Sequence, residues 1–472
     1  MGDEKSVIFI ENHTYDEICV GDVAKLMRTL KAEDIQLFAA MSGDVNPTHV
    51  DPEYANSTQF HGIIAHGMWG GALISAVLGT EYPGPGTVYL GQSLRFLAPV
   101  HVGDTLTICV TVVAKDKMHG QVTLDCRCTN HLGKDVITGS ALVKAPVEKV
   151  RRPRQDPMQV RLSDKTLHYR HLLELTKGLS PITVAVVHPC SEEALRGAVD
   201  AAEKGLIVPV LVGPEVKIRA IASQAGIEIG HHRIVDTAHS HAAAASAVSM
   251  AYRGEVQALM KGSLHTDELM SEVVRTNGGL RTERRVSHVF VLDVPTYPKP
   301  LMISDAAINI APDLNAKCDI IQNSIDLAHA LGIAEPKVAV LAAVETVNAM
   351  MQATLDAAAL CKMADRGQIK GGIVDGPLAF DNAISERAAA EKNIHSPVAG
   401  QADILIAPDL EAANMLAKQL QYLADAQAAG LVLGARVPVI LTSRADGAMA
   451  RIASCALALL MVNAKSAVHS EA

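Results

Sequence analysis

Hydrophobic and polar positions follow one rule up to about residue 145 and another after about residue 180. From Val88 onward apolar residues recur at every second position in four stretches: Val88 to Phe96, Thr105 to Ala114, Gln121 to Asn130 and Val136 to Lys144. Period two predicts strands with one buried face. Gly103-Asp104, Met118-His119-Gly120 and Leu132-Gly133-Lys134 separate them and read as turns. Two helical patterns precede the strands. Lys31 to Met41 puts Ile35, Phe38 and Ala39 on one face. Met68 to Leu78 is apolar apart from one Ser and carries no charge, which predicts a buried helix too short to cross a bilayer. Helices followed by a run of antiparallel strands give an α+β unit.

After residue 164 the rhythm changes. Short apolar runs at 182–187, 208–212, 257–260, 286–294, 337–343, 372–375, 404–407, 430–433 and 438–442 alternate with helical stretches, including an Ala-rich one from His239 to Arg253. The runs do not alternate internally, so each strand is expected to be buried on both faces of a parallel sheet. Between the two regimes, 147–163 carries prolines and basic residues without a period and reads as a linker. The predicted organisation is an α+β domain over 1–146, a linker over 147–163 and an α/β domain over 164–472.

The chain between the first helix and the Met68 run carries candidate chemistry. Asp44 and His49 lie five residues apart in a loop turned by Asn46-Pro47. A carboxylate beside an imidazole can deprotonate a water. Gly67 opens the apolar helix, where free N–H groups and the helix dipole suit a developing oxyanion. These parts would together hydrate a polarised double bond. The same residues also serve as an Asx-turn at Asp44 and a packed His49, and the sequence pattern leaves both readings open. Ser42-Gly-Asp-x-Asn-Pro-x-His-x-Asp51, then Ile63-x-Ala-His-Gly-Met68, then Tyr89-Leu-Gly-Gln-Ser-Leu-Arg-Phe96 resemble the MaoC-type (R)-specific enoyl-CoA hydratases, from about Asp22 to Val143. That resemblance implies a hotdog fold and (R)-3-hydroxyacyl-CoA as product. It further implies catalytic roles for Asp44, His49 and the Gly67 N–H, a substrate-ordering role for Ser75, and dimerisation to cover a sheet edge.

The second region carries polar loops after its apolar runs, where ligands of parallel sheets sit. They are Lys261 to Thr266, Gly279-Leu-Arg281-Thr282, Ser304-Asp305, Asp375 to Asp381, and Ser443-Arg444-Ala-Asp446. Arg, Ser and Gly at such ends suit an anionic oxygen cluster. Each loop alone is also explained by helix capping. No phosphate loop of the G-x-x-x-x-G-K-[ST] kind and no G-x-G-x-x-G after a strand is present. Lys-Gly-x-x-x-Thr, Gly-Leu-Arg-Thr…Ser-His-Val-Phe, Ile-Ser-Asp-Ala-Ala-Ile-Asn, Asp-Gly-Pro-Leu-Ala-x-Asp and Thr-Ser-Arg-Ala-Asp resemble the phosphate acetyl/butyryltransferases, from about His171 to Val462. The resemblance implies α/β sheets in two subdomains and acyl exchange between CoA and inorganic phosphate. It implies Ser443 and Arg444 as catalytic residues, with Asp446 the nearest base and Asp375 and Asp305 behind it. Lys261 and Arg281 are expected to bind substrate.

Charge and composition narrow the partners. A net charge of −9 gives no footprint for nucleic acid. No uninterrupted apolar run reaches membrane-span length. The opening MGDEKSVIFIENH lacks the basic-then-apolar order of an export signal. Eight scattered cysteines without a C-x-x-C pair suit reduced thiols in a cytoplasm. His49, His61, His66 and His101 match no zinc spacing, so no metal and no cofactor are expected. The expected protein is a cytoplasmic homo-oligomer with two activities on acyl-CoA. Its alternatives are a hydratase whose transferase fold is inactive or uses another acid, and a non-catalytic acyl-CoA-sensing hotdog module.

Overall fold

The structure, a computed structural model, describes residues 8–155, 160, 167–441 and 447–471. The chain divides into two compact units, 1–163 and 164–472.

The first unit is a five-stranded antiparallel sheet wrapped around one helix. The strand order is Val23–Thr29, Thr105–Asp116, Gln121–Thr129, Asp135–Lys144, Val88–Phe96. In Thr105–Asp116 and Gln121–Thr129 every second residue is buried, so Leu106, Ile108, Val110, Val122, Leu124, Cys126 and Cys128 share the inner face. Burial pushes the thiols up, Cys126 to about 11 and Cys128 to about 12, so both pack as small apolar groups. The helix Gly67–Ala76 lies on that face with Trp69, Ile74 and the following Val77 and Leu78 buried. Its other face departs from expectation: Met68, Ala72, Ser75 and Ala76 are exposed. The edge strand Val88–Phe96 is likewise open, with Val88, Leu90 and Phe96 about half exposed.

Two local departures have physical causes. Val23–Thr29 was not anticipated, because its apolar residues Val23 and Met27 point outward on an edge and its pattern carries little burial signal. Part of the expected linker belongs to this unit: Arg151–Pro153 pairs antiparallel with Phe9–Glu11. The Arg151 guanidinium sits 4.6 Å over the Phe9 ring, and Lys149 bridges Glu11 and Glu17.

The second unit is built on one eleven-stranded mixed sheet covered by helices. One wing is parallel: Arg233–Asp236, Ile207–Gly213, Ile182–Val187, Ala258–Lys261 and Val439–Ile440. The other wing is also parallel: Leu301–Ser304, Ile404–Ile406, Lys337–Leu341 and Ile373–Leu378. Gln427–Leu433 and Ser287–Asp293 join them through three antiparallel pairings. An odd number of reversals means the wings run in opposite directions. The expected two-part α/β architecture is present, but the strand ends are not all equivalent. The carboxyl ends of one wing lie at the opposite end of the ladder from those of the other.

Helix starts are capped by the residues that favour that position. Ser191, Asp313 and Asp409 each accept a backbone N–H of the first turn. Among the described residues one helix has a window, Ala448–Lys465, long and apolar enough to cross a membrane by length and composition. Arg451 interrupts its apolar run, and 61% of the window is buried inside this unit, so it reads as a core helix.

Candidate active sites

In the first unit, capping chemistry presents the dyad. The helix Ala32–Ser42 ends at Gly43, whose φ of 76° lets the chain leave in the left-handed conformation. Two short helices follow, Pro47–Val50 and Pro52–Ser57, each with Pro at its first position and Asn46 or Asp51 accepting N–H groups at its cap. The first of these single turns carries His49. Asp44 is exposed, and its Oδ1 accepts the Asn46 N–H at 3.2 Å. This is the Asx-turn reading, and it leaves the other carboxylate oxygen available.

The ring of His49 is oriented by the backbone. Its Nδ1 lies 2.8 Å from the Ile64 carbonyl oxygen. A carbonyl oxygen only accepts, so Nδ1 carries the hydrogen and Nε2 holds the lone pair of a base. His66 is buried and caps the helix that begins at Gly67. Its Nε2 donates to the Asp44 main-chain oxygen at 2.9 Å, and its ring lies 4.0 Å from that of His49. One ligand atom each from Asp44, His49 and His66 falls within 4.8 Å of the others.

His49 and His66 open on a cavity of about 340 Å³, and Asp44 stands beside them outside its lining. His49, His66 and Gly67 line its polar wall; Trp69, Phe96, Val100, Leu106 and Ile137 line the apolar remainder. Among the described residues the Gly67 N–H has no acceptor. A Cβ at Gly67 would stand 3.0–3.2 Å from the Phe96 ring, so the residue is packed where a side chain would crowd the wall. His49 and Gly67 are therefore brought together on one cavity, with Asp44 within 4.8 Å of His49. Ser75 is not: it sits eight residues further along, roughly 12 Å down the helix axis, exposed and outside the cavity lining.

In the second unit the sequence candidates separate. Ser443, Arg444 and Asp446 lie outside the described residues. The strand that leads to them, Val439–Ile440, pairs with Ala258–Lys261, so buried Lys261 ends the neighbouring strand. Arg281 is at the other end: it bridges to Ala435, beyond the strand Gln427–Leu433, which runs antiparallel to Val439–Ile440. A strand of four residues is only about 13 Å long, so the two ends are close on the scale of a substrate as large as a CoA thioester.

Arg281 lines a cavity of about 550 Å³ with Arg284, Arg285 and Asn309. Arg284 is paired with Asp326, and the Arg285 Nε donates to Asn309 Oδ1 at 2.8 Å. The Arg281 guanidinium has no partner among the described residues and is exposed. The unpaired cation in this wall is thus the one expected to bind an anion. Arg284, Arg285 and Asn309 were not anticipated, although Arg-Thr-Glu-Arg-Arg is a visible cationic cluster.

Asp305 is a correction. It is buried, and both oxygens are committed. Oδ1 accepts the His288, Ala307 and Ile308 N–H groups, and Oδ2 accepts the Asn309 backbone and side-chain N–H groups. Burial pushes its carboxyl up against those hydrogen bonds. The residue fixes the 305–309 turn and through Asn309 holds Arg285, and its two oxygens are spent on internal N–H groups. Asp375 is half-buried on the outermost strand Ile373–Leu378, accepts its neighbour's N–H at Gly376, and lines neither cavity. Its wing also ends opposite Lys261, so Asp375 and Asp305 do not form one group with Lys261.

Comparison with known proteins divides the chain in the same way. Residues 239–459 match the model of the phosphate acetyl/butaryl transferase family, and residues 21–129 match that of the MaoC-like domain. The chain is 58% identical over 303 residues to the phosphate acetyltransferase of Rhizobium meliloti, covering 64% of this chain and 96% of that one. It is 29% identical to a branched-chain phosphotransacylase from Enterococcus faecalis, covering 60% of this chain and 99% of that one, with a TM-score of 0.53. An R-hydratase of Pseudomonas aeruginosa is 43% identical and covers 33% of this chain and 99% of that one, with a TM-score of 0.32.

Proposed function

We propose that this chain, which belongs to the phosphate acetyl/butyryltransferase family and carries a MaoC-like domain ahead of that family's fold, is a two-activity acyl-CoA enzyme. Its first unit adds water to a trans-2-enoyl-CoA to give the (R)-3-hydroxyacyl-CoA. Its second unit exchanges an acyl group between CoA and inorganic phosphate.

The hydratase reading rests on one observation: His49 and Gly67 line a single cavity with an apolar remainder, and a carboxylate oxygen of Asp44 lies within 4.8 Å of a His49 ring nitrogen at its edge. The lone pair at His49 Nε2 takes a proton from water while Asp44 orients that water. The hydroxide oxygen adds to C3 of the enoyl group. Negative charge moves to the thioester oxygen, where the Gly67 N–H and the helix start stabilise it. The proton held at His49 Nε2 is returned to C2, which completes the addition and restores the base. The apolar wall of Trp69, Phe96 and Leu106 takes the acyl chain.

The transferase reading is supported by the 58% identity to a phosphate acetyltransferase along nearly its whole length. Ser443 and Arg444 are assigned the oxyanion and the phosphate, with Asp446 as the base that frees the CoA thiolate. Arg281 supplies a guanidinium to an anionic part of the substrates. No metal or cofactor is assigned to either reaction. The exposed edge strand Val88–Phe96 and the exposed face of the helix Gly67–Ala76 support a homo-oligomer formed through the first unit. Eight free cysteines support a cytoplasmic setting.

The test is thiol release from acetyl-, butyryl- and 3-hydroxybutyryl-CoA with and without phosphate, beside loss of the enoyl absorbance of crotonyl-CoA. Phosphate-dependent release and water addition establish both activities. Folded protein with neither overturns the reading.

A further inference from the structure

One ring ties together the three working parts of the first unit's site. His66 donates from Nε2 to the main-chain oxygen of Asp44, lies against the His49 ring with centroids 4.0 Å apart, and precedes Gly67 in the chain. The Phe38 ring also packs against it, with centroids 4.9 Å apart. The residue is 3% exposed, so the ring has no freedom to turn. Its Nδ1 is buried and has no partner.

We infer that His66 is a positioning residue for the hydration proposed above: its Nε2–H fixes the Asp44 loop against the His49 ring at the helix start. This rests on the hydratase reading. The loop needs such an anchor. Asp44 is exposed, and among the described residues its side chain is held only by the Asn46 N–H at 3.2 Å. Nothing else among the described residues donates to the Asp44 carbonyl. Without the His66 hydrogen bond the carboxylate and His49 Nε2 would sample many separations. A misplacement of about 1 Å can cost roughly 100-fold in rate. The arrangement also assigns the tautomer. Because Nε2 must be the donor, the lone pair is on Nδ1, the atom left unpartnered.

Two variants separate positioning from packing. His66→Phe keeps a ring against Phe38 and His49 but removes the donor. His66→Gln keeps an N–H near the position of Nε2 but gives up the ring. Positioning predicts that His66→Phe lowers kcat for crotonyl-CoA hydration by about 10- to 100-fold with KM within about threefold, and that His66→Gln recovers at least about tenfold of the loss. A packing role predicts the reverse order, with Phe the better tolerated. Wild-type kcat in His66→Phe, or Gln no better than Phe, overturns the inference. A wild-type chain that fails to hydrate crotonyl-CoA overturns the hydratase reading and this inference with it. A measurement that needs no variant is ¹⁵N NMR of the histidines in the intact chain. It should show His66 protonated at Nε2 and bare at Nδ1, and a proton at Nδ1 alone would refute the anchor.

Discussion

Gly67→Pro tests the oxyanion assignment at a position where the backbone accepts the change. Gly67 is the first residue of its helix, where the missing N–H of proline costs no helical hydrogen bond. The preceding His66 has φ −60° and ψ 136°, which a residue before proline tolerates. The pyrrolidine therefore deletes the proposed donor and leaves the helix start in place. It also adds a Cβ 3.0–3.2 Å from the Phe96 ring. That ring is 52% exposed and can yield by a few tenths of an ångström. Gly67→Ala adds the same Cβ and keeps the N–H, so the difference between Pro and Ala isolates the donor. Removing one such donor typically costs about 100- to 1,000-fold in kcat, about 3–4 kcal/mol of transition-state stabilisation. Hydration of crotonyl-CoA should thus show similar KM changes in both variants and a kcat loss of that size in Pro alone. Thermal unfolding of the Pro variant should not fall below that of Ala, since proline restricts the unfolded chain. A Pro kcat within about fivefold of Ala would falsify the placement of the thioester oxygen at this N–H.

Other predictions address the remaining parts. Asp44→Asn and His49→Ala should each lower hydration by at least about 100-fold, with phosphate-dependent thiol release unchanged in the same preparations; full hydration in both would remove the dyad. Arg281→Gln should raise the KM for CoA by about tenfold or more, roughly the 1.4 kcal/mol of a weak charge-assisted bond, with little loss of stability because the guanidinium has no partner among the described residues; steady-state kinetics with each substrate varied would check this. Asp305→Ala should destabilise the second unit by at least about 3 kcal/mol, since the buried N–H groups at its two oxygens lose their acceptor; urea unfolding reads the loss. His288 is buried, and desolvation lowers its pKa to about 3 from an ordinary 6.5. The unfolded chain therefore binds a proton there that the folded chain does not, and stability falls as pH drops from about 6.5 toward 3. The slope from this residue is about 1.4 kcal/mol per pH unit, and His288→Leu should flatten the acid limb of the unfolding profile by that amount relative to the parent.

Local rules made much of the first unit legible. Period two marked four of the five strands of its sheet; in three of them it follows an inner face that is nearly fully buried, as in Leu106, Ile108 and Val110, while Val88–Phe96 carries the alternation without the burial. Asn46-Pro47 was legible as a turn, and the structure makes it and Asp51-Pro52 the starts of two short helices. What sequence spacing could not show was that the ring of His66, seventeen residues after His49, comes back to lie against it. That contact depends on the chain closing through the helix Pro52–Ser57 and the bridge between Ile64 and His101, and neither leaves a periodic trace. The uniform apolarity of Met68 to Leu78 misled in a specific way. It promised burial on every side, yet within one chain the sheet covers only Trp69, Gly70, Ile74 and their neighbours. An apolar surface left open on Met68 and Ala72, in a unit whose edge strand Val88–Phe96 is paired on one side only, is what a second copy would cover.

The second unit shows a different limit. An apolar run bounded by turns announces a buried strand but not its direction, because both neighbours of a central strand bury the same residues. Gln427–Leu433 reads like Ile182–Val187 in composition, yet it is antiparallel to both of its partners. With Ser287–Asp293 it reverses the ladder, and that reversal decides which polar loops can act together. Lys261 and the strand leading toward Ser443 fall at one end; Arg281, Arg285 and the Asp305 turn fall at the other. A short inorganic anion could not touch both ends at once. A CoA thioester, extended over more than the roughly 13 Å of a four-residue strand, has the length to do so. It follows that Arg281→Gln and a substitution at Ser443 should weaken different substrates. The KM for CoA should respond to Arg281 and the turnover of acyl phosphate to Ser443, and equal effects of both on one substrate would mean that the two ends meet at a single anion.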